Sequence, residues 1–203
     1  MSAYRVGLTG GLACGKSTVA EQLAAHGAYV CDADTIVGEL TAAGGAALPL
    51  LQQAVGDWVV AADGSYDRAA VRERIFADSD AGSALRRQIE AVLHPLVRQE
   101  TKKRLEEATA PYGVAVIPLL FESDGWAGYF RRVVVVDCAR EVQVARANAR
   151  DKKQDAARII AAQMDAAERR RRADEVLENN GDLPLLQSAV RALHERLLAA
   201  AAE

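Results

Sequence analysis

Residues 5–23 read RVGLTGGLACGKSTVAEQL, and the centre of this stretch fits the pattern G-x-x-x-x-G-K-[ST] through Gly10, Gly15, Lys16 and Ser17. In this pattern the glycines let backbone N–H groups approach an anion, and the N-terminus of the following helix attracts negative charge. The lysine neutralises the β- and γ-phosphates of a nucleotide, and the serine hydroxyl can bind Mg²⁺. The stretch therefore predicts a phosphate-binding loop.

The surroundings of the loop match the context that this pattern requires. An apolar run over 4–8 predicts a buried strand, and the spacing of apolar residues over 17–26 predicts a helix. A second short strand is predicted over 28–31. Strand, glycine loop, helix and strand in this order indicate the start of a parallel α/β sheet.

The composition is that of a folded globular protein: of 203 residues, 50% are hydrophobic and 26% are charged. A net charge of −3 gives no electrostatic reason to expect nucleic acid or a membrane as a partner. No apolar run approaches the roughly 20 residues that span a bilayer, and no signal-peptide pattern is present. The three cysteines, Cys14, Cys31 and Cys138, form no C-x-x-C pair, so we expect a reduced, cytoplasmic protein without a zinc site.

The middle of the chain, residues 35–110, has a helical pattern, with a turn indicated at 62–64. Two helices are predicted over 84–93 and 95–108, meeting at His94 and Pro95. A crossover between parallel strands needs only about 10–12 residues, so we expect this longer insertion to have a function.

The second half of the chain returns to the alternation of strands and helices. Apolar runs predict strands over 113–120 and 133–136, and a weaker strand over 175–177. Residues 140–167 and 183–202 have helical patterns.

Asp32 and Asp34 follow the second predicted strand. In extended chain they would point to the same side, at the edge of a parallel sheet where ligands bind. One carboxylate could hold Mg²⁺ through water, and the other could accept a proton from an acceptor hydroxyl. A strand-end turn with two solvated aspartates is an equally good interpretation.

Several arginines lie after residue 140. Arg146 and Arg150 are four residues apart and share a helix face, so they could close over a transferring phosphoryl group, although a solvated basic face is the commoner meaning of such spacing. Four consecutive arginines, residues 169–172, point all round a helix, and we expect them to be solvated.

Weaker signals come from Glu122 and Asp137, each of which ends an apolar strand and could be a second acid near Mg²⁺, or a helix cap or turn acid. His94 could contact a substrate or fill a helix junction. No N-K-x-D guanine-reading motif and no G-x-G-x-x-G dinucleotide motif are present. Together these features predict a small-molecule kinase. A nucleotide-dependent binding protein without enzymatic activity is the alternative, and Asp34 at a strand end favours the enzyme.

The order of short motifs along the chain resembles the dephospho-CoA kinase family. These motifs are GLTGG-x-x-x-GKST, DAD at 32–34, HPL at 94–96, PLLFE at 118–122, VVVVD at 133–137, R-x-x-x-RD at 146–151 and ADEVLENNG at 173–181.

The resemblance implies an α/β fold with a P-loop NTPase core and a five-stranded parallel sheet. The core would comprise 1–34, 111–139 and 173–203, with a helical region over 35–110 that binds the CoA substrate and a lid over 140–172. It also implies transfer of the γ-phosphoryl group of ATP, with Mg²⁺, to the 3′-hydroxyl of the dephospho-CoA ribose. We expect a monomer or a weak homo-oligomer. Another small-molecule or nucleotide kinase on the same core is the alternative.

The resemblance also implies roles for individual residues. The catalytic candidates are Lys16, Asp34, Arg146 and Arg150. The ATP-binding candidates are Gly10, Gly11, Leu12, Ala13, Cys14, Gly15, Lys16, Ser17, Thr18, Asn179 and Asn180, of which the two asparagines would lie near adenine. The substrate-binding candidates are Asp32, Asp34, His94 and Glu122, and the Mg²⁺ candidates are Ser17 and, through water, Asp32.

Ala13 and Cys14 depart from the family pattern, which has glycine and a small residue at these positions. A left-handed backbone at Ala13 would cost about 1–2 kcal/mol of strain. Cys14 packs in place of a small residue, or else the positive field of the loop lowers its pKa and makes the thiol reactive. In the second case we expect a thiol reagent to inactivate the protein and ATP to protect it.

Overall fold

The computed structural model describes residues 4–77, 79–150 and 156–203. Its strands are β1 (Tyr4–Gly10), β2 (Tyr29–Asp32), β3 (Tyr112–Val116), β4 (Arg132–Asp137) and β5 (Glu175–Glu178). Its α-helices are α1 (Lys16–Ala25), α2 (Ala33–Leu40), α3 (Leu48–Val55), α4 (Arg68–Ala77), α5 (Ser79–Glu107), α6 (Arg140–Arg150), α7 (Ala156–Ala162), α8 (Ala166–Arg172) and α9 (Leu183–Ala201). The chain divides into two compact units, one formed by Met1–Asp32 with Arg104–Glu203 and the other by Ala33–Lys103.

The first unit is built on a five-stranded sheet in the order β2-β3-β1-β4-β5, in which every neighbouring pair is parallel. This confirms the predicted five-stranded parallel sheet. β3 is buried along its whole length, and β1 and β4 are buried after their first two residues. Parallel strands with helices packed on their faces require such continuous apolar runs.

Helices α1 and α9 pack against the sheet of the first unit and form one core with it. From the sheet this core takes Val6, Leu8, Val114, Val134 and Val136, and from the two helices it takes Val19, Leu23, Val190, Leu193 and Leu197. Because this core holds β1 and α1 on either side of residues 10–16, it positions the predicted phosphate-binding loop at the carboxyl edge of the sheet.

The second unit contains α2, α3, α4 and most of α5, and it has its own core around Leu51, Val59, Val71 and Ile89. A turn at Gly64, with φ of 81°, brings Val60 and Tyr66 into an isolated antiparallel bridge. The predicted helical character of 35–110 and the turn at 62–64 are therefore confirmed in the described residues.

Three boundaries differ from the prediction. Pro95 lies inside the single helix α5 instead of starting a new one, because apolar residues at helical spacing on both sides pack into the core of the second unit. The third strand ends at Val116, and Pro118, which has no N–H to donate, lies beyond it. The predicted helical region over 140–167 is divided into α6, α7 and the start of α8, with 151–155 outside the described residues.

The prediction of extended chain at 32–34 is wrong. Asp32 ends β2, and α2 begins at Ala33, so Asp34 lies in the first turn of a helix. A carboxylate in the first turn interacts favourably with the positive end of the helix dipole, which explains the early start of the helix. Within the described residues, no helix has the length and apolar character needed to cross a membrane.

Candidate active site

The predicted phosphate-binding loop connects β1 to α1. A Cβ atom at Gly10 would overlap the carbonyl oxygen of Val136, and one at Gly15 would overlap the side-chain nitrogen of Asn179. Gly15 is also the N-cap of α1 in the left-handed conformation, with φ of 98°, and no side chain caps the helix. The loop therefore needs glycine at both positions, and it leaves the first N–H groups of α1 available to an anion.

Lys16 lies at the start of α1, and its ammonium group donates hydrogen bonds to the carbonyl oxygens of Gly10 and Gly11, both at 2.9 Å. The side chain thus folds back over the loop, and the cation lies beside the loop residues that the motif predicts to bind phosphate.

Ala13 has φ of 56° and is the one non-glycine residue with positive φ in the part of the chain that the structure describes. It is 8% exposed and packs with Ala147 of α6 and Ala156 of α7. The left-handed alternative considered for Ala13 is therefore the observed one, and about 1–2 kcal/mol of strain is expected in the loop.

Cys14 is fully buried, and its Sγ accepts a hydrogen bond from the Sγ of Cys138 over 3.4 Å. This hydrogen bond is the main cause that lowers the pKa of Cys14 to about 7, and Lys16 adds a smaller contribution, while burial opposes both. The pKa of Cys138 is raised, because its proton is held between the two sulfurs and its site is desolvated. The positive field of the loop is thus only a secondary cause of the lowered pKa of Cys14. The reactivity of this thiol stays a prediction. Cys31 is buried elsewhere, which raises its pKa to about 12.

Asn179 and Asn180 follow β5, and both bind backbone groups of the first unit. Asn179 is 6% exposed, its side chain donates to the carbonyl oxygen of Cys14 at 2.8 Å, and its N–H donates to the carbonyl of Asp137 at 2.8 Å. The side chain of Asn180 accepts from the N–H of Ala139 at 2.7 Å. The two asparagines thus support the phosphate-binding loop and the end of β4, and their contact with adenine stays a prediction.

Arg146 and Arg150 both belong to α6, but their surroundings differ. Arg146 is half-buried and donates to the carbonyl oxygen of Asn179 at 2.9 Å. Arg150 is exposed at the last residue of α6. On the same helix, the buried side chain of Gln143 donates to the carbonyl oxygen of Cys138, which follows β4, at 3.0 Å. The structure therefore brings Arg146, but not Arg150, into the network around the loop.

The expectation that residues 169–172 are all solvated is wrong for one of them. Arg170 pairs with Asp137 at 2.9 Å and with Glu178 at 2.7 Å, and the other two exposed arginines pair with Glu168. Arg169 is 5% exposed. A helix with arginine at four successive positions must turn one of them toward the body of the protein, and here that position is 169.

The segment after α7 also contacts the loop. The side-chain oxygen of Gln163 accepts a hydrogen bond from the N–H of Leu12 at 3.0 Å, and Glu122 accepts one from the N–H of Met164 at 3.2 Å. Sequence reasoning missed Gln143, Gln163 and Arg169. The one signal in the sequence was the presence of polar residues within helical patterns, which does not single out these three.

The acidic candidates for Mg²⁺ differ in availability. Asp137 is buried and paired with Arg170 through Oδ2, while its Oδ1 is buried without a hydrogen-bond partner. Glu122 is bound to the Met164 N–H. Asp32 ends β2 in register with Val116 of β3, which is itself in register with Leu8 of β1. Ser17 is exposed in the first turn of α1. Among the described residues, no group of three or more His, Cys, Asp or Glu side chains could hold a metal ion by itself.

Asp34 and His94 belong to the second unit, where both are exposed. Asp34 is in the first turn of α2, and His94 precedes Pro95 within α5. Their predicted roles in binding the acceptor stay predictions.

Comparison with known proteins gives one consistent result. The family model for dephospho-CoA kinase matches residues 4–184. The dephospho-CoA kinase of Aromatoleum aromaticum is 46% identical over 200 residues, covering 98% of this chain and 96% of the relative. That of Chromobacterium violaceum is 47% identical over 196 residues, covering 96% of this chain and 94% of the relative. A crystal structure from Thermus thermophilus is 32% identical, with a TM-score of 0.76 over 97% of this chain and 99% of that one.

Proposed function

The chain belongs to the dephospho-CoA kinase family, and from this membership we propose that it transfers the γ-phosphoryl group of ATP to the 3′-hydroxyl of the dephospho-CoA ribose. The observation that carries the proposal is the match over residues 4–184 together with an intact phosphate-binding loop at the carboxyl edge of a parallel sheet. The reaction is the last step of coenzyme A synthesis. Another small-molecule kinase is not favoured, because eight curated relatives at 42–47% identity are dephospho-CoA kinases.

Residues 10–18 bind the phosphates of ATP. Phosphoryl transfer requires an in-line arrangement and stabilised anionic oxygens more than covalent chemistry. The uncapped N–H groups of α1 supply donors, and the ammonium of Lys16 exchanges the carbonyl oxygens of Gly10 and Gly11 for phosphate oxygens. The exchange at Lys16 replaces neutral acceptors with charged ones, which strengthens its hydrogen bonds.

Mg²⁺ accompanies ATP in this reaction, where it neutralises charge on the phosphates. The residues present fit such an ion. Mg²⁺ keeps several waters and needs only one or two protein oxygens beside the phosphates. The exposed hydroxyl of Ser17 directly follows the phosphate-binding lysine, and Asp32 ends a strand at the same edge of the sheet. Ser17 would bind the ion directly and Asp32 through water.

Acceptor binding is assigned to the helical region 35–110, together with Asp32 and Glu122. Asp34 orients the ribose hydroxyl and accepts its proton, and His94 contacts the substrate. A hydroxyl is a poor acid, so in a loose transition state its proton leaves late, and orientation contributes as much as basicity. Arg146 and Arg150, on the predicted lid 140–172, neutralise charge on the transferring group. Since Cys14, Cys31 and Cys138 are all free thiols, as in a reducing compartment, we also place the protein in the cytoplasm.

The test is ADP release measured with dephospho-CoA, AMP, shikimate or water as the acceptor. We expect rapid release with dephospho-CoA alone, and a product that carries phosphate on the ribose 3′-oxygen by ³¹P NMR. Equal rates with AMP or shikimate would contradict the assignment of the acceptor. Slow release with every acceptor, despite tight ATP binding, would favour a nucleotide-dependent binding protein.

A further inference from the structure

Arg169 differs from the three arginines that follow it on α8. The side chains of Arg170, Arg171 and Arg172 are 43%, 71% and 48% exposed, and each pairs with a carboxylate. Arg169 is 5% exposed. Within the described part of the chain, its side chain makes no hydrogen bond or ion pair, and its Nε is buried without a partner.

Such an arrangement is costly. A guanidinium group stays charged at every pH at which the protein is folded. A charge taken out of water without a counter-charge destabilises the folded protein far more than a polar group does. Since the protein keeps this charge buried, the structure calls for an anion that neutralises it in a functional state.

The position of Arg169 indicates where that anion binds. Its Nη2 lies 3.3 Å from the point that a Cβ of Gly11 would occupy, so the guanidinium packs against the phosphate-binding loop. The side-chain oxygen of Gln143 lies 3.0 Å from the same point and is also buried without a partner. The carboxylate of Asp137 pairs through Oδ2 with the neighbouring Arg170, and its Oδ1, buried without a partner, makes no ion pair with Arg169.

We propose that Arg169 is a phosphate-binding residue of the ATP site, and that its guanidinium takes a phosphate oxygen of the bound nucleotide as its partner. The proposal rests on the proposed function, in which residues 10–18 hold ATP. A Cβ at Gly11 would press on the guanidinium and on Gln143, at 3.3 and 3.0 Å, so both side chains would have to shift slightly to accommodate it. The arginine then supplies a positive charge to the phosphates in addition to Lys16.

A phosphate-binding role and a structural role for Arg169 predict opposite changes in the stability of the nucleotide-free protein. Replacing Arg169 by methionine, which is similar in length but uncharged, removes from the nucleotide-free protein a buried cation that has no partner among the described residues. The melting temperature without nucleotide should therefore stay equal or rise. A residue that only packs the helix would give the opposite result.

The test measures ATP affinity by calorimetry, without any acceptor, together with melting temperatures with and without ATP. For Arg169→Met we expect an ATP dissociation constant raised roughly 10- to 100-fold, as for a lost charge-assisted hydrogen bond, and a smaller shift of the melting temperature on adding ATP. Arg169→Lys keeps the charge and should lie between Met and the wild type. Arg171→Met, on the same helix but exposed, should bind ATP like the wild type.

Unchanged ATP affinity in Arg169→Met would overturn the proposal. So would a nucleotide-free Arg169→Met protein that melts well below the wild type or does not fold, with Arg169→Lys restoring stability but not affinity. Because the assay contains no acceptor, it is independent of the identity of the phosphoryl acceptor. A wild-type protein that binds ATP but does not phosphorylate dephospho-CoA would contradict the proposed function and leave the result on Arg169 standing.

Discussion

The side-chain nitrogen of Asn179 donates a hydrogen bond to the carbonyl oxygen of Cys14 over 2.8 Å, so a residue beyond the last strand holds the phosphate-binding loop. The same nitrogen occupies the space that a side chain at Gly15 would need. Asn179 in turn accepts a hydrogen bond from Arg146 through its own carbonyl oxygen. Through Asn179, the shape of the loop is therefore connected to an arginine of the predicted lid.

Replacing Asn179 by alanine should weaken both stability and ATP binding. The substitution leaves a buried carbonyl oxygen unpaired, which costs about 1–3 kcal/mol of the free energy of unfolding. Asn179→Asp should cost more, because it places a carboxylate oxygen against the carbonyl of Cys14. Urea unfolding and ATP titration measure the two effects. Asn180→Ala is the matched control, since Asn180 binds Ala139 in an exposed position. Equal losses in the Asn179 and Asn180 variants would contradict this role.

The sheet and the loop could be predicted from the sequence because their signals are local. The apolar runs that form β1, β3 and β4 and the glycines of residues 10–15 determine strand and loop whatever else the chain does. The backbone conformation of the Asp32–Asp34 segment could not be predicted in the same way, because the chain could continue as a strand or begin a helix after Asp32. The interaction of the Asp34 carboxylate with the helix dipole favours the helix, and α2 does begin at Ala33.

The contacts that complete the site depend on tertiary packing, which no local pattern encodes. Gln163, in the segment between α7 and α8, and Arg169, on α8, reach the site only because these short elements pack against the loop. Helical periodicity shows that one of four successive arginines faces inward, but not which one. Pro95 illustrates the same limit, because the local preference to begin a helix at proline is overridden by core contacts on both sides of it.

The stability of the protein should rise with pH around the ionisation of Cys14. A thiol whose pKa is lower in the folded than in the unfolded protein stabilises the fold above the unfolded pKa, and the stabilisation is lost as the pH falls through the folded pKa. For Cys14 these values are 9.0 and about 7. Between pH 6.5 and 8.5, the free energy of unfolding of the wild type should therefore rise relative to Cys14→Ser by on the order of 1 kcal/mol. Urea unfolding at a series of pH values measures the difference.

Cys138 limits the range over which this effect can be observed. Its pKa is raised, so its contribution has the opposite sign and begins only where unfolded thiols ionise, near pH 9. Cys138→Ala removes the hydrogen bond that lowers the pKa of Cys14 and should abolish the rise. If the free energies of unfolding of the wild type and of Cys14→Ser change in parallel from pH 6.5 to 8.5, Cys14 stays protonated over this range.

Replacing Asp34 by asparagine tests the proposed chemistry at the acceptor. Asp34 is exposed in the first turn of α2, so the substitution should weaken only the start of this helix and leave the ATP dissociation constant unchanged. If Asp34 orients and deprotonates the ribose hydroxyl, kcat should fall roughly 10²-fold or more. Steady-state kinetics with dephospho-CoA measures this. Asp32→Asn is the control, and it should mainly change the dependence on Mg²⁺ concentration. An unchanged kcat in Asp34→Asn would remove Asp34 from the mechanism.

His194 should make the protein less stable in mild acid. Its Nδ1 lies 2.7 Å from the hydroxyl of the buried Tyr112, and its ring stacks on His26 with centroids 5.1 Å apart. Burial lowers the pKa of His194, the neighbouring His26 lowers it further, and Glu195 opposes both. A histidine with a lowered pKa stabilises the fold above its unfolded pKa, and this stabilisation is lost as the pH falls through the folded pKa. The loss should therefore begin near the unfolded value of about 6.5 and continue below it.

Comparison of the wild type with His194→Gln, in urea unfolding from pH 5 to pH 8, isolates this effect from the other groups that titrate in the range. Glutamine keeps a side chain that can bind the Tyr112 hydroxyl but does not gain a proton. The wild type should lose more stability than His194→Gln on going from pH 7 to pH 5. His26→Gln removes the neighbouring charge, so its loss should be intermediate. Parallel profiles for all three proteins would show that His194 takes up its proton as easily in the folded as in the unfolded state.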